Sequence, residues 1–381
     1  MTRDIAVVGG GPAGCRLAML LAKDHDVVVI EEHETVGRPL QCAGLVSPRT
    51  IDGITKDSVL RVIKDFRLHS PGGEIIELHA KEPKGIVIDR RLFDSALANR
   101  AVDLGAHFKL NTRISRIKTG EEGVALDCRS DHQYTEIKSL LIVGADGPRS
   151  IVRAHVTKRD FDILYKGAQF EGSDPSSDNR VVEMWIGSKI APGFFAWKIP
   201  TGDTIRIGVC TKSDDPPMSL LKAFARKNFP DLRIKDKQSG LIPVGPIGEL
   251  VSDRLALIGD AGGQTKPITG GGVFLGKRAS ELLAESIMVK GVCSEALAAY
   301  EQMYCNEFGQ EISRAWLIRK IINRLSDKKL DNAVRILSDK AIIRLFEEEG
   351  DIDNPAGLSS AILRKTPKLL QFAPALLRSL R

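Results

Sequence analysis

Ile5-Ala-Val-Val-Gly-Gly-Gly-Pro-Ala-Gly14 is the stretch on which the reading of this chain turns. Ile5 to Val8 read as a short buried parallel strand, and Gly9, Gly11 and Gly14 form a Gly-x-Gly-x-x-Gly turn. Cys15 to Lys23 read as a helix, Val27 to Ile30 as a second strand, and that strand ends at Glu31. Gly9 allows a tight turn, Gly11 lets a pyrophosphate reach the backbone, and Gly14 lets the helix lie close on the strand. The helix N-terminus turns the positive end of its dipole toward phosphate, and Pro12 and Ala13, in the turn before it, join the cofactor-binding set. Glu31, seventeen residues past Gly14, is placed to accept hydrogen bonds from ribose hydroxyls. The segment predicts a dinucleotide cofactor.

Later segments choose among dinucleotides. Leu140-Leu-Ile-Val-Gly-Ala-Asp-Gly147 and Leu255-Ala-Leu-Ile-Gly-Asp260 are both apolar strands that run into a glycine turn with an acid. Pro267, Gly270-Gly-Gly272 and a helical stretch from Val273 to Met288 follow the second. Together they resemble the para-hydroxybenzoate hydroxylase-like flavoproteins. The resemblance implies FAD, with the Asp260 carboxylate on the ribityl chain and the Val273 helix aimed at the flavin pyrimidine ring. Positive helix potential there stabilises a reduced-flavin anion. Asp89-Arg-Arg-Leu-Phe-Asp94 matches the family's Arg-x-x-Phe-Asp segment and assigns Arg90 to FAD. Arg38, Cys42, Ala43, Gly44, Ile114, Asp146, Gly259, Gly271 and Gly272 complete the cofactor set that the resemblance implies.

The fold class expected is α/β: a Rossmann-type FAD-binding domain, an antiparallel-sheet substrate domain and a helical C-terminal region, like para-hydroxybenzoate hydroxylase. Residues 1–50, 84–155 and 250–289 are assigned to the discontinuous FAD-binding part. Residues 51–83 and 156–249 are assigned to the substrate side, where 181–186, 194–199 and 204–209 read as strands and 220–228 as a helix. Residues 290–381 read as helices, with Ile312, Ala315, Trp316, Ile318, Ile321, Ile322 and Leu325 in one apolar stripe. A chain of 381 residues, 43% hydrophobic, can fill two cores. No apolar run approaches the length of a membrane span, and the chain enters its first strand without a signal peptide, so a cytoplasmic protein is expected. The six cysteines lack metal-ligand spacing, and no metal is expected.

Glu34-Thr-Val-Gly-Arg-Pro-Leu-Gln-Cys-Ala-Gly-Leu-Val-Ser47 and Phe195-Ala-Trp-Lys-Ile-Pro200 resemble the geranylgeranyl reductases, the first most closely the archaeal branch acting on membrane-lipid precursors. The resemblance implies a FAD-dependent reductase of isoprenoid carbon–carbon double bonds, with a polyprenyl lipid substrate. It places Cys42 beside the flavin as the candidate catalytic residue, and Phe194, Phe195, Trp197 and Pro200 on an apolar channel. The match departs from the family pattern at Phe195, Ile199 and Arg206. The Phe195–Pro200 motif also resembles that of flavin-dependent halogenases, so a halogenase or an aromatic hydroxylase of the same fold is the alternative; a FAD-bearing structural or redox-sensing protein is a third reading. NAD(P)H, a deazaflavin and a ferredoxin-type donor all remain open as electron source. A Cys42–Cys305 disulfide is a further option. Residues 312–381 hold fourteen Lys and Arg against eight Asp and Glu, and Arg364, Lys365, Lys368, Arg378 and Arg381 lie in an amphipathic last segment. Peripheral contact with an anionic membrane surface is weighed there against an ordinary solvated face. No nucleic-acid module is present.

Overall fold

The computed structural model describes residues 2–120, 123–130, 133–175 and 178–372. The chain opens with β1 (Thr2–Val8), α1 (Pro12–Leu21), β2 (Val27–Ile30) and β3 (Leu45–Val46). Next come β4 (Val59–Ile63), β5 (Asp65–His69), β6 (Ile75–His79), β7 (Gly85–Ile88) and α2 (Arg90–Asp103). β8 (His107–Lys109), β9 (Arg113–Gly120), β10 (Gly123–Ser130), β11 (Gln133–Gly144) and α3 (Arg153–Val156) follow. The middle holds β12 (Ile163–Ser173), β13 (Val181–Trp185), β14 (Ala196–Pro200), β15 (Ile205–Thr211), α4 (Pro217–Asn228) and β16 (Arg233–Val244). The chain then forms β17 (Val251–Ser252), β18 (Leu255–Leu257), α5 (Val273–Lys290), α6 (Ser294–Ile322), α7 (Asp327–Leu337), α8 (Lys340–Glu349) and α9 (Ser359–Lys365).

Three sheets result. The first has the order β17-β18-β11-β1-β2-β8, with β10 on β11 and β9 on β10. Its centre, β18-β11-β1-β2-β8, is parallel. These strands are almost wholly apolar because both faces are covered. One face packs on α1, α2, α5 and α6 through Leu17, Leu21, Phe93, Leu97, Leu283 and Tyr300. The other packs under β9 and β10 through Ile117, Leu126 and Cys128. α1 crosses α5 closely: a Cβ at Gly276 would lie 3.3 Å from Cβ of Ala13, and Ser280 Oγ donates to the Ala13 carbonyl at 2.8 Å.

The second sheet, β16-β12-β15-β14-β13-β5-β6, lies beside the first, and β3-β7-β4 makes a third. The second was expected to be antiparallel, and one pair differs: β5 runs parallel to β13, Asp65 opposite Val181. The two strands are separated by the whole middle part of the cofactor domain, 84–155, so no hairpin forces them antiparallel. The strand expected from Phe194 begins at Ala196, which leaves Phe194 and Phe195 in the approach to it. One face of this sheet is covered by α4. The other carries Tyr165, Phe194, Trp197, Ile199 and Cys210, against Ile63 and Val87 of the third sheet and Trp316 of α6.

The last helices are joined to the edge of the second sheet by polar contacts. Asp327 accepts from Ser188, Asp331 from Ser70 and the Gly72 amide, Glu347 from the His79 amide, and Arg335 pairs with Glu74. Arg378 and Arg381 lie outside the described residues. Among the described residues no helix is long and apolar enough to cross a membrane.

Two glycines of the first turn should respond oppositely to a methyl group. A Cβ at Gly14 would sit 2.1 Å from the Gly9 carbonyl oxygen, whereas nothing lies within 4 Å at Gly11. Gly14→Ala should lower cofactor-free stability by roughly 1–3 kcal/mol. Gly11→Ala should leave it within about 0.5 kcal/mol. Urea midpoints of the two variants check this, and equal losses would contradict it.

Candidate active site

The first wall of the site is the end of β1. Gly9 has φ +101°, and a Cβ there would meet the Ala145 carbonyl at 2.4 Å, so only glycine fits. Glu31, buried at the end of β2, accepts from the Gly10 amide at 2.6 Å and from the His33 amide at 3.0 Å. The carboxylate thus holds the glycine turn in shape. Gly11 faces open space at the N-terminus of α1, beside Pro12 and Ala13, where unpaired helix amides favour an anion.

The second wall is the chain from β18 to α5. Gly259 turns at φ +63° and donates its amide to Gln264 Oε1 at 2.6 Å. Asp260 follows. Among the described residues its carboxylate has no hydrogen-bond donor, and burial pushes its pKa up to about 6, with the Arg90 charge opposing. A Cβ on Gly272 would come within 2.8 Å of Asp260 Oδ1. The following loop closes on itself: the Lys266 amide donates to the Gly271 carbonyl at 3.1 Å, and the Gly270 amide to the Lys266 carbonyl at 2.8 Å. Arg319 of α6 grips the loop from behind, donating to Pro267 at 2.9 Å and to Ile268. The first amides of α5, from Val273, have no intrahelical acceptor and stand as donors at the helix start.

The third wall is the Cys42–Gly44 loop. The Gly44 amide points at Cys42 Sγ at 3.4 Å, and the Gly44 carbonyl accepts from Ile88 at 2.8 Å. Arg206, the departure from the family pattern, has a clear task. Its guanidinium reaches across from β15 to the carbonyls of Ala43 and Ile88, both at 3.0 Å, while Glu171 holds its Nε at 2.9 Å. Arg90 makes a double hydrogen bond to Asp94, at 2.9 and 2.8 Å, and its charge also faces Cys42. Burial raises the Asp94 pKa, and Arg90 opposes that rise.

The fourth wall is aromatic. Tyr165 and Phe194 have ring centroids 4.4 Å apart, Phe194 stacks on Phe195 at 4.4 Å, and Phe195 meets Trp197 edge-on at 6.2 Å. Trp197 lies flat over Gly208, where a Cβ would be 2.1 Å from the indole. Its indole N–H donates to Gln169 at 3.0 Å, and Gln169 donates in turn to Gln238. Pro200 does not join this file. It is buried three residues after Trp197, and strand alternation puts it on the opposite face with Ala196 and Lys198.

Of three other expected residues, Ile114 and Arg38 stand apart from the walls, whereas Asp146 abuts the first, a Cβ on Gly9 falling 2.9 Å from its Cα. Ile114 puts its side chain into the core beneath the first sheet. Arg38 is exposed. Asp146 turns Oδ2 to the Ile151 amide at 2.8 Å, which shapes the turn after β11. Cys42 and Cys305 are both free thiols, so the disulfide is not formed; Cys305 lies on the exposed side of α6. Lys266, Arg319, Tyr165 and Gln169 were not foreseen. Arg319 falls next to Ile318 in the expected apolar stripe, and a lone buried cation breaks that pattern without leaving a motif.

The family model described as "FAD binding domain" matches residues 2–297. Digeranylgeranylglycerophospholipid reductase 2 of Methanococcoides burtonii is 31% identical, over 88% of each chain. Digeranylgeranylglycerophospholipid reductase of Methanothrix thermoacetophila is 28% identical, over 97% of this chain and 98% of its own. The solved structure of a geranylgeranyl bacteriochlorophyll reductase-like protein from Thermoplasma acidophilum superposes with a TM-score of 0.85 at 22% identity, over 98% and 99% of the two chains. That likeness shows the fold. The residues fit FAD on three counts: the space in front of Gly11, the unpartnered Asp260 carboxylate, and the free amides at the start of α5.

Asp260 ties the site to pH. Its folded-state pKa of about 6 exceeds the ordinary carboxylate value, so ionising it opposes folding. That penalty is complete above about pH 6 and vanishes below about pH 4. Asp260→Asn should therefore raise the urea midpoint of the cofactor-free protein at neutral pH and leave it unchanged in acid. It should also weaken FAD by ~1.5–3 kcal/mol. A midpoint gap of the same size at both pH values would refute the assignment.

Proposed function

We propose, for a chain that belongs to the FAD-binding family of the digeranylgeranylglycerophospholipid reductases, that it is a FAD-dependent reductase saturating the carbon–carbon double bonds of geranylgeranyl chains on membrane-lipid precursors. The near full-length similarity to reductases of that name carries the reading. The closed aromatic face beside the glycine walls supports it.

When bound, reduced FAD supplies a hydride to one alkene carbon. The chain's own residues have three tasks. Gly11, Asp260 and the α5 N-terminus hold the cofactor. Phe194, Phe195 and Trp197 hold the alkene and exclude water, which an isolated double bond needs because it accepts hydride poorly. Each buried CH₂ contributes ~0.8 kcal/mol, so a prenyl chain needs no polar contact for retention. The neighbouring carbon must gain a proton, and the Cys42 thiol, with the Arg90 charge facing it, is our candidate to deliver or position it. Arg206 fixes the loop that carries Cys42. Peripheral contact with an anionic membrane surface belongs to the same reading, supported by the exposed Arg364, Lys365 and Lys368.

Chemically reduced protein, kept anaerobic with a geranylgeranyl lipid, should add hydrogens in pairs, read by mass spectrometry. A halogenated or hydroxylated aromatic product under oxygen and halide, with no change to the lipid, would favour the alternative chemistry. Cys42→Ser should keep FAD yet lose at least about tenfold in alkene reduction, ~1.4 kcal/mol of transition-state stabilisation. Turnover within about twofold of the parent would leave Cys42 a packing residue.

A further inference from the structure

Lys266 is buried in the loop that leads to α5, and among the described residues its ammonium pairs with Asp353 Oδ1 at 2.8 Å. Asp353 comes from the segment between α8 and α9, its side chain 1% exposed. Arg49 holds that segment in place, with Nη2 at 2.6 Å from Asp351 and 3.1 Å from Asp353. The ammonium lies directly behind Gly271: a Cβ there would fall 2.9 Å from Lys266 Cε and 3.2 Å from Nζ. On the neighbouring residue the Asp260 carboxylate approaches Gly272 equally closely. The glycine loop is therefore pressed between an ammonium and a carboxylate.

A buried ion pair contributes little net stability, because desolvating both charges offsets their attraction. What the pair does supply is a fixed dipole with its ammonium end nearest Gly271, in a dry setting where electrostatic effects carry further than in water. Two-electron reduction of a flavin adds negative charge to its ring system, and a nearby cation favours the reduced form. We propose that the Lys266–Asp353 pair sets the electron affinity of the FAD held on this loop, Lys266 raising it and Asp353 tempering it. The inference rests on FAD binding at the α5 N-terminus. Double-bond reduction gives it a purpose, since the driving force for hydride release depends on that affinity.

The test equilibrates FAD-loaded parent and variants anaerobically with a reference dye and reads the ratio of reduced to oxidised flavin. Lys266→Met should move the ratio at least about tenfold toward oxidised flavin, roughly 30 mV for a two-electron couple. Asp353→Asn should move it as far the other way, and Lys266→Arg should stay within about threefold of the parent. A pair that merely braces the loop predicts shifts of one sign, or none. Any pattern other than opposite shifts overturns the proposal. Should Lys266→Met fail to hold FAD, Asp353→Asn alone decides, because removing its carboxylate must favour the reduced form. A parent chain that takes up no FAD refutes the cofactor reading itself; a parent that takes it up, with variants of unchanged ratio, refutes only the role of the pair.

Discussion

The structure depends on one close convergence of backbone. At the C-terminal ends of β1 and β11, Gly9 meets Ala145 with no space for a side chain, and α1 descends onto β1 through Gly14. The same point receives β18, whose Gly259 faces Ala13. Three strands and two helix starts thus end at one place, which is where an open parallel sheet offers its crevice. Moving any one of these glycines displaces walls that come from distant parts of the chain.

Much of this convergence was legible because each segment obeys a local rule. The turn at Gly9–Gly14 needs glycines at fixed spacing, and the buried parallel strands need unbroken apolar runs. β1, β2 and α5 accordingly lie close to where the sequence puts them, and the family resemblance read from the Cys42 and Trp197 segments agrees with the relatives found. What escaped the sequence is long-range and polar. Nothing near residue 266 announces that its counter-charge lies at 353. Nothing near Arg206 announces that its guanidinium closes on Ala43. Pro200 illustrates a different failure: it sits in the right motif, but strand alternation turns it to the other face.

The substrate side also explains a departure from pattern. At Arg206, a departure from the pattern the resemblance implies, the guanidinium clamps two carbonyls of neighbouring segments. Two residues on, Gly208 has no side chain, and the Trp197 ring occupies the room this leaves. The two positions share one sheet face, and together they fix both the loop bearing Cys42 and the ring beside it.

The last helices combine buried apolar residues, Leu330 and Val334 on α7 and Ile342 and Leu345 on α8, with a polar seam. α7 and α8 meet the β5–β6 edge through Asp331, Arg335 and Glu347, and Asp327 bonds Ser188 just past β13. Interactions between exposed charges weaken as dissolved ions screen them, while apolar packing is not screened in this way. Ionic strength therefore acts on this seam selectively. Of the contacts named, Arg335–Glu74 is the one between two charges, so salt weakens that pair, while the bonds from Asp327, Asp331 and Glu347 to neutral hydroxyls and amides and the buried Val334 and Ile342 keep their hold.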